Sequence, residues 1–212
     1  MNFKSRQTIL VFLRAPEKGR VKTRLARDIG EEKALALYRE FVGFTLTAVK
    51  SSGMDSRICF YPENKIGLLT DWLGKDHYYM PQTGDDLGQR MENALSRVFD
   101  QGAEKAVLVG TDIPDIRASH FVTAFDLLGR RDVVLGPSLD GGYWLIGFRK
   151  EGFYPGLFHQ MSWGTDCVFK TTRDKCRSAG LSLGLLPALQ DIDTLADLHG
   201  FQKKNPLFPM PG

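Results

Sequence analysis

The sequence predicts an α/β fold in which a largely parallel sheet is covered by helices on both faces. Short apolar segments alternate with amphipathic segments along the chain. The predicted strands are almost continuously apolar, as in residues 8–13 (TILVFL) and 106–109 (AVLV), which is typical of strands buried on both faces. No linker, internal repeat or low-complexity segment interrupts this alternation, so residues 1–212 are predicted to form a single domain.

Each element follows from its local pattern of apolar and turn-forming residues. Strands are expected at 8–13, 57–61, 77–80, 106–109, 133–135, 143–148 and 183–186. A loop is expected over 15–30, and helices at 34–49, 65–73, 87–102, 121–128, 166–179 and 195–201. Asp85 or Asp86 is expected to cap the helix that begins at Leu87, and Thr165 is a candidate cap for the helix near 166. The proline-rich tail from about residue 203 is expected to be loosely ordered.

Composition points to a protein without a membrane span or a nucleic-acid partner. The net charge of +3 is too small to suggest a nucleic-acid-binding surface. No apolar segment approaches the roughly 18 residues of a membrane span, and the first one is too short for a secretory signal. Cys59, Cys167 and Cys176 lack ligand-like spacing, and their odd number argues against a disulfide framework. We therefore expect a cytoplasmic protein.

A cationic segment, RAPEKGRVKTRLAR, follows the first predicted strand at residues 14–27. It contains six arginine and lysine residues and one glutamate. Arginine and lysine bind phosphate oxygens, so this segment is a candidate phosphate site. A solvated basic loop without a ligand is the alternative. The chain has neither GxxxxGK[ST] nor GxGxxG, which argues against a P-loop nucleotidase and an ordinary dinucleotide-dependent dehydrogenase.

Asp112 lies in the segment VLVGTDIPD, at the carboxyl end of a buried predicted strand. In open α/β sheets, ligands bind outside the carboxyl ends of the strands. A carboxylate at this position can hold Mg²⁺ or Mn²⁺, and the metal in turn neutralises phosphate oxygens. The alternative is that Asp112 caps the turn before Pro114.

The segment GPSLDGGYWLIG combines a flexible turn with aromatic residues. Gly141 and Gly142 permit a sharp turn or a close approach of the backbone to a ligand. Asp140 precedes them, and Tyr143 and Trp144 can stack on a sugar or a base. A hairpin turn with packed aromatic residues is the alternative. The aspartate at position 140 argues against a GxSxG nucleophile of a hydrolase.

The segment QDIDTLADL offers two more carboxylates, Asp191 and Asp193, separated by one residue. Two such acids suit a hard metal ion. Thr194 and Asp197 have the spacing of a capping box that opens the last helix. A helix cap with a solvated acid is therefore an equally good interpretation of this segment.

Segments along nearly the whole chain resemble the DUF2064 family of bacterial GT-A-like proteins, which are described as nucleotide-diphospho-sugar transferases. The matching segments are RAPEKGRVKTRLARDIG, QTGDDLGQRMENAL, VLVGTDIPD, VLGPSLDGGYWLIGF, SWGTDCVF and LPALQDIDTLADL. The chain is also distantly similar to the molybdenum-cofactor and phospholactate guanylyltransferases. The resemblance implies a three-layer α/β/α sandwich with a mainly parallel, mixed sheet.

The resemblance also implies an enzyme whose first loop binds nucleotide phosphates and whose Asp112 holds a metal. An acid of the DIDT segment completes that metal site, and we favour Asp193. The expected metal is Mg²⁺ or Mn²⁺. The candidate nucleotide-binding residues are Arg14, Lys22, Thr23 and Arg24, the candidate substrate-binding residues are Gly141, Gly142, Tyr143 and Trp163, and the candidate catalytic residues are Asp112 and Asp140.

The leading hypothesis is transfer of a glycosyl group from a nucleotide sugar to a small-molecule acceptor. In this hypothesis Lys22 and Arg24 bind the diphosphate, and the metal on Asp112 stabilises the leaving nucleotide. The alternative is nucleotidyl transfer, in which an NTP reacts with a phosphorylated acceptor and pyrophosphate leaves. A nucleic-acid-binding module is a third and weaker hypothesis, because the chain has no recognised nucleic-acid motif.

Overall fold

The computed structural model describes residues 6–208, which form a seven-stranded mixed sheet between helices. The strands are β1 (Gln7–Arg14), β2 (Asp55–Tyr61), β3 (Tyr79–Pro81), β4 (Lys105–Val109), β5 (Val133–Pro137), β6 (Tyr143–Arg149) and β7 (Leu183–Leu185). Their order across the sheet is β3-β2-β1-β4-β6-β5-β7. β6 runs antiparallel to β4 and β5, whereas the other neighbouring pairs are parallel. The predicted fold class is confirmed.

Seven α-helices accompany this sheet among the described residues. They are α1 (Thr23–Ile29), α2 (Glu31–Ser51), α3 (Ile66–Leu73), α4 (Leu87–Asp100), α5 (Ala118–Leu127), α6 (Val168–Ser178) and α7 (Leu195–Lys204). The apolar residues of α2, α3 and α5 pack on one face of the sheet, and those of α4 and α6 pack on the other. This arrangement is the three-layer α/β/α sandwich that the family resemblance implies.

Alternation along β1 shows how one strand serves both faces. Ile9 and Val11 belong to the core beneath α2 and α5, whereas Leu10 and Phe12 belong to the core beneath α4. Successive side chains of a strand point to opposite faces, so a strand buried on both sides must be apolar at every position. A third, smaller core joins α1 and α7 to the outer side of α2 through Leu25, Leu37, Phe41, Ile192 and Leu198.

Two local predictions are wrong. Residues 15–30 are not all loop, because α1 occupies Thr23–Ile29. Thr165 does not cap α6, because that helix begins at Val168 and Thr165 donates its hydroxyl hydrogen bond to the carbonyl of Ser162. By contrast, Asp86 caps α4 by accepting a hydrogen bond from the backbone of Gln89, as predicted.

The described chain ends beside α2. Lys203 and Lys204 complete α7, and Phe208 stacks on Phe41 with ring centres 6.2 Å apart. Residues 209–212 lie outside the described residues, so the loose order predicted for the end of the tail stays a prediction. Between residues 6 and 208, no helix is both long enough and apolar enough to cross a membrane.

Candidate functional site

The predicted polar segments meet at one edge of the sheet, where β1, β4, β5 and β7 end and β6 begins. The loops that contain them are residues 15–22 after β1, 110–117 after β4, the β5–β6 turn at 138–142, and 188–194 after β7. Backbone hydrogen bonds hold the last of these segments in place. The amide of Ile192 donates to the carbonyl of Asp112 over 3.0 Å, and the amide of Leu139 donates to the carbonyl of Leu189 over 3.1 Å. Residues distant in sequence thereby form one site.

Lys22 lies at the centre of this site, between two of the predicted metal ligands. Its Nζ is 2.5 Å from Asp112 Oδ1 and 3.0 Å from Asp193 Oδ1, and it donates to the carbonyl of Ile192 over 2.7 Å. The side chain of Lys22 is only 2% exposed, whereas those of Asp112 and Asp193 are 53% and 38% exposed. Among the described residues, the Asp112 carboxylate bonds only to Lys22, so it does not cap the turn at Pro114.

The two carboxylates keep the buried lysine charged. Burial lowers the pKa of Lys22, but the charges of Asp112 and Asp193 and their hydrogen bonds outweigh it, so the pKa stands above its ordinary value. The third acid of this edge, Asp191, behaves differently. Burial raises its pKa, and so do the charges of Asp140 and Asp193, although the Ser138 hydroxyl donates to it over 3.0 Å.

A cationic hollow of about 380 Å³ opens beside Lys22. Arg20, Asp112 and Asp193 line this hollow. So do all four predicted nucleotide-binding residues, which are Arg14, Lys22, Thr23 and Arg24. The arginine side chains are exposed, and in the part of the chain that the structure describes Arg14 and Arg20 form no ion pair. Guanidinium groups of this kind are available to an anion that enters the hollow.

Tyr38 and Gln82 build the wall behind this hollow, and sequence reasoning did not assign either of them to the site. The Tyr38 hydroxyl donates to the carbonyl of Arg14 and accepts from its amide, both over 2.8 Å. The side-chain amide of Gln82 donates to the carbonyl of Leu13 over 3.2 Å and to that of Cys59 over 2.7 Å. The available signal for Gln82 is a polar residue just beyond the strand predicted at 77–80, with only Pro81 between them.

A second, aromatic hollow of about 300 Å³ adjoins the first. Tyr143, Trp144 and Trp163 line it, with Asp140 and Gly142 at the β5–β6 turn. Phe12, Leu87, Thr111 and Asp112 belong to both hollows, so Asp112 stands at their boundary. Among the described residues that line the aromatic hollow, none is a lysine or an arginine.

Two glycines bring the aromatic hollow together. A Cβ at Gly88 of α4 would lie 2.9 Å from the indole of Trp163, so only glycine lets this ring rest on the helix. Gly141 has a φ of 89°, and a Cβ there would lie 2.1 Å from the carbonyl oxygen of Asp166. Gly141 does not line either hollow, and it acts by fixing the turn.

Asp140 has the turn-forming role that the alternative interpretation assigns to it. Its Oδ1 accepts a hydrogen bond from the Gly142 amide over 2.9 Å. The residue is exposed and also lines the aromatic hollow, so a molecule bound there would lie beside it. Tyr143 contacts Trp163, with its ring centre 6.4 Å from that of Trp163 in an edge-on arrangement.

The donor set fits a divalent cation that is shared with a phosphate ligand. Between residues 6 and 208 there is no group of three acidic, histidine or cysteine side chains that could hold a metal by themselves. Asp112 and Asp193 nevertheless place two carboxylate oxygens around one point, which Lys22 Nζ occupies. Mg²⁺ is commonly bound by one or two carboxylates together with substrate phosphates and water, so a pair of acids beside a cationic hollow is chemically suitable.

Three solved structures share this fold, and two of them have nucleotide-related names. A protein of Desulfovibrio desulfuricans G20, provisionally named a nucleotide-diphospho-sugar transferase, is 40% identical with a TM-score of 0.92; the match covers 96% of this chain and 89% of that chain. A nucleotidyl transferase from Methanothermobacter shares the fold at 14% identity and a TM-score of 0.61, covering 93% and 96% of the two chains. A Mycobacterium tuberculosis H37Rv protein that was solved in complex with manganese also shares the fold, at 16% identity and a TM-score of 0.59. The match covers 94% of this chain and 99% of that chain.

The family comparison agrees with the motif resemblance. No curated protein sequence matches this chain significantly. A family model described as "Uncharacterized protein conserved in bacteria (DUF2064)" matches residues 45–165, which is more than half of the chain. With this match and the 40% identical structure, the chain belongs to the DUF2064 family.

Proposed function

We propose that this protein is a transferase that moves a glycosyl group from a nucleotide sugar to a small-molecule acceptor. The observation that carries the proposal is that two hollows of different character adjoin each other at Asp112. One hollow is lined by cations and the other by aromatic rings without any lysine or arginine in its described lining. A nucleotide sugar has a matching pair of parts, because its diphosphate, which carries the nucleoside, is anionic and is joined at one bond to an uncharged sugar.

The exposed arginines of the cationic hollow bind the diphosphate in this proposal. Arg14, Arg20 and Arg24 line the hollow, and Arg24 lies 3.9 Å from Asp193, close to the carboxylates. Arginine matches phosphate oxygens with paired donors, so these side chains orient the donor and stabilise the diphosphate as negative charge builds on it. Thr23, at the start of α1, adds a hydroxyl to the same wall.

Asp112 and Asp193 are the residues that would hold the divalent metal. When bound, such an ion neutralises the charge of the departing nucleoside diphosphate. The manganese complex of the M. tuberculosis protein supports this choice of metal class. Both carboxylates border the cationic hollow, where the phosphate oxygens would complete the coordination.

The aromatic hollow receives the sugar and presents it to the acceptor. Tyr143 and Trp163 offer apolar surface to the sugar ring, and Asp140 offers a carboxylate to hydroxyl groups. In the reaction, the bond between the anomeric carbon and the phosphate oxygen breaks, and the acceptor oxygen bonds to that carbon. The acceptor proton passes to Asp140, and the nucleoside diphosphate leaves as an anion.

Nucleotidyl transfer is the second candidate, and the fold shared with the Methanothermobacter nucleotidyl transferase favours it. In that reaction the acceptor carries a phosphate, which needs a cation for binding. The absence of lysine and arginine from the described lining of the aromatic hollow is unfavourable for such an acceptor. We therefore rank glycosyl transfer first.

A product assay separates the two reactions. The protein is incubated with Mn²⁺ and a panel of nucleotide sugars, or with NTPs and sugar phosphates, while nucleoside diphosphate and pyrophosphate are measured. We expect nucleoside diphosphate from nucleotide sugars. Pyrophosphate release from an NTP and a sugar phosphate would instead establish the second candidate.

A matched pair of variants on α1 tests the phosphate site. Arg24 lines the cationic hollow, whereas Arg27 on the same short helix does not. We expect Arg24→Gln to weaken nucleoside diphosphate binding about tenfold, the equivalent of one charge-assisted hydrogen bond. Arg27→Gln should leave the affinity unchanged in the same calorimetric titration. Equal effects of the two variants would contradict the placement of the diphosphate.

A further inference from the structure

Lys22 has no free hydrogen-bond donor in this structure. An ammonium group has three donors, and those of Lys22 point to Asp112 Oδ1, Asp193 Oδ1 and the carbonyl of Ile192. The side chain is 2% exposed, so water does not compete for these bonds. Lys22 is therefore not poised to bind a diphosphate while it holds the two carboxylates.

The Lys22 ammonium and a divalent metal would compete for the same pair of carboxylates. Lys22 Nζ contacts Oδ1 of Asp112 and Oδ1 of Asp193. A metal ion bound by these two acids, through any of their oxygens, would lie close to the ammonium and repel it. Binding of either cation therefore weakens binding of the other.

A place for the displaced ammonium exists next to it. Lys22 lines the cationic hollow, in which the diphosphate is proposed to bind. Its backbone is held at a φ of 46° and a ψ of 43°, a left-handed conformation that is unfavourable for a lysine. Phosphate oxygens in the hollow would give the ammonium new acceptors, whereas a metal ion arriving alone would give it none.

We propose that Lys22 is a resident counter-ion that keeps divalent metal out of the Asp112–Asp193 pair until a nucleoside diphosphate group enters the cationic hollow. This inference rests on the proposed function, since it takes Asp112 and Asp193 as the metal ligands. Metal and nucleotide then bind as a cooperative pair, because each favours the arrangement in which Lys22 has moved to phosphate. Lys22 is a positioning residue in this proposal.

Binding of Mn²⁺ alone tests this inference without any measurement of activity. Free Mn²⁺ is followed by its paramagnetic resonance signal during titration of the wild type, Lys22→Met and Lys18→Met. Lys18 is the control, because it lies in the same loop but pairs with Glu32 on the surface. We expect Lys22→Met to bind Mn²⁺ at least about tenfold more tightly than the wild type, since the competing charge-assisted bonds are gone. Lys18→Met should match the wild type.

A second measurement uses only the wild-type chain, so that a poorly folded variant does not decide the result. UDP or GDP should tighten Mn²⁺ binding by the protein about tenfold or more, after correction for the complex that Mn²⁺ forms with the nucleotide in solution. In addition, the double variant Lys22→Met/Asp193→Asn should lose the gain of the single variant, because both cations depend on the same carboxylate.

Two results would overturn the inference. One is a Lys22→Met protein that is folded and binds Mn²⁺ no more tightly than the wild type. The other is a wild-type protein that binds Mn²⁺ equally tightly with and without UDP or GDP. In either case, release of nucleoside diphosphate from nucleotide sugars by the wild type would leave the proposed function standing, so the two failures are distinguishable.

Discussion

The two ends of the sheet each carry a cluster of charged residues that joins distant segments, and the clusters differ in composition. At the end opposite the hollows, Asp132 precedes β5. Its Oδ1 accepts hydrogen bonds from Nε and Nη2 of Arg149 over 2.8 and 2.5 Å. Its Oδ2 accepts from the amide and hydroxyl of Ser182 over 2.8 and 2.5 Å. At the other end, Lys22 holds Asp112 and Asp193.

The difference lies in which charge is buried. In the Asp132 cluster the acid is only 16% exposed, and both of its oxygens are bonded inside the protein. In the Lys22 cluster the lysine is buried and the two acids are exposed, with Arg24 3.9 Å from Asp193 at the edge. A buried carboxylate with both oxygens bonded holds neighbouring strands together. Exposed carboxylates beside a hollow retain the capacity to bind a cation.

The largest expected effect is the loss of activity in Asp112→Asn. The substitution keeps the size of the side chain but removes its charge from the boundary between the two hollows. We expect the rate of nucleoside diphosphate release from a nucleotide sugar to fall about 100- to 1,000-fold. Because the substitution also removes one of the two charges that hold the buried Lys22, the unfolding midpoint should fall as well, and the rate is measured at a temperature where the variant is folded.

Asp115→Asn is the matched control for Asp112→Asn. Asp115 lies three residues later in the same segment and lines neither of the two hollows. Its variant should keep the wild-type rate in the same assay. A similar loss of rate in both variants would mean that the segment, rather than the carboxylate of Asp112, carries the effect.

Asp132→Ala should show a different pattern, a loss of stability without a direct effect on the site. Hydrogen bonds from Ser182 and Arg149 hold the pKa of Asp132 below its ordinary value of 3.8. Stability from these bonds is therefore fully present above pH 3.8 and is lost as the pH falls through the lowered pKa. We expect urea denaturation at pH 7 to show a loss of about 2–3 kcal/mol in the free energy of unfolding.

The pH dependence provides the internal check on Asp132→Ala. The difference in stability between the variant and the wild type should shrink as the pH falls below 3.8 and through the lowered pKa of the folded carboxyl. Asp126→Ala, which removes an exposed acid on α5, should cost much less at every pH. A stability loss from Asp132→Ala that is the same at pH 3 and pH 7 would refute the assigned role of the ionised carboxylate.

Most of the fold could be predicted because its signals are local. Strands such as β4 are continuous apolar segments, and α4 has a capping aspartate followed by apolar residues at helical spacing. The helix α1 could not be predicted in this way. It has only seven residues, its buried residue is Leu25, and the surrounding arginines and lysines suggest a solvated loop. So short a helix is stabilised by its tertiary contacts rather than by its own sequence pattern.

The site was predictable in its location but not in its internal pairing. Lys22, Asp112 and Asp193 all follow predicted strands, and loops after parallel strands meet at one edge of a sheet. The structure brings these three side chains within hydrogen-bond distance. The assignment of Lys22 to phosphate followed from its charge and its neighbours in sequence. Its contacts with Asp112 and Asp193, far along the chain, depend on how the loops pack, and a single sequence does not encode that in any local pattern.

The smallest expected effect concerns how the two clusters are supported. Paired strands flank the Asp132 cluster, whereas Asp193 lies next to the capping box of α7. In this box, Thr194 Oγ1 accepts a hydrogen bond from the Asp197 amide over 3.2 Å. Thr194→Ala should lower the free energy of unfolding by about 1 kcal/mol and should also weaken nucleoside diphosphate binding with Mn²⁺, because Asp193 is adjacent. Thr194→Ser keeps the hydroxyl and should restore both values in denaturation and calorimetry. If Thr194→Ala lowered stability but left binding unchanged, the contacts of the Asp193 side chain with Lys22 and Arg24 would be enough to hold it, and the cap would have no part in the site.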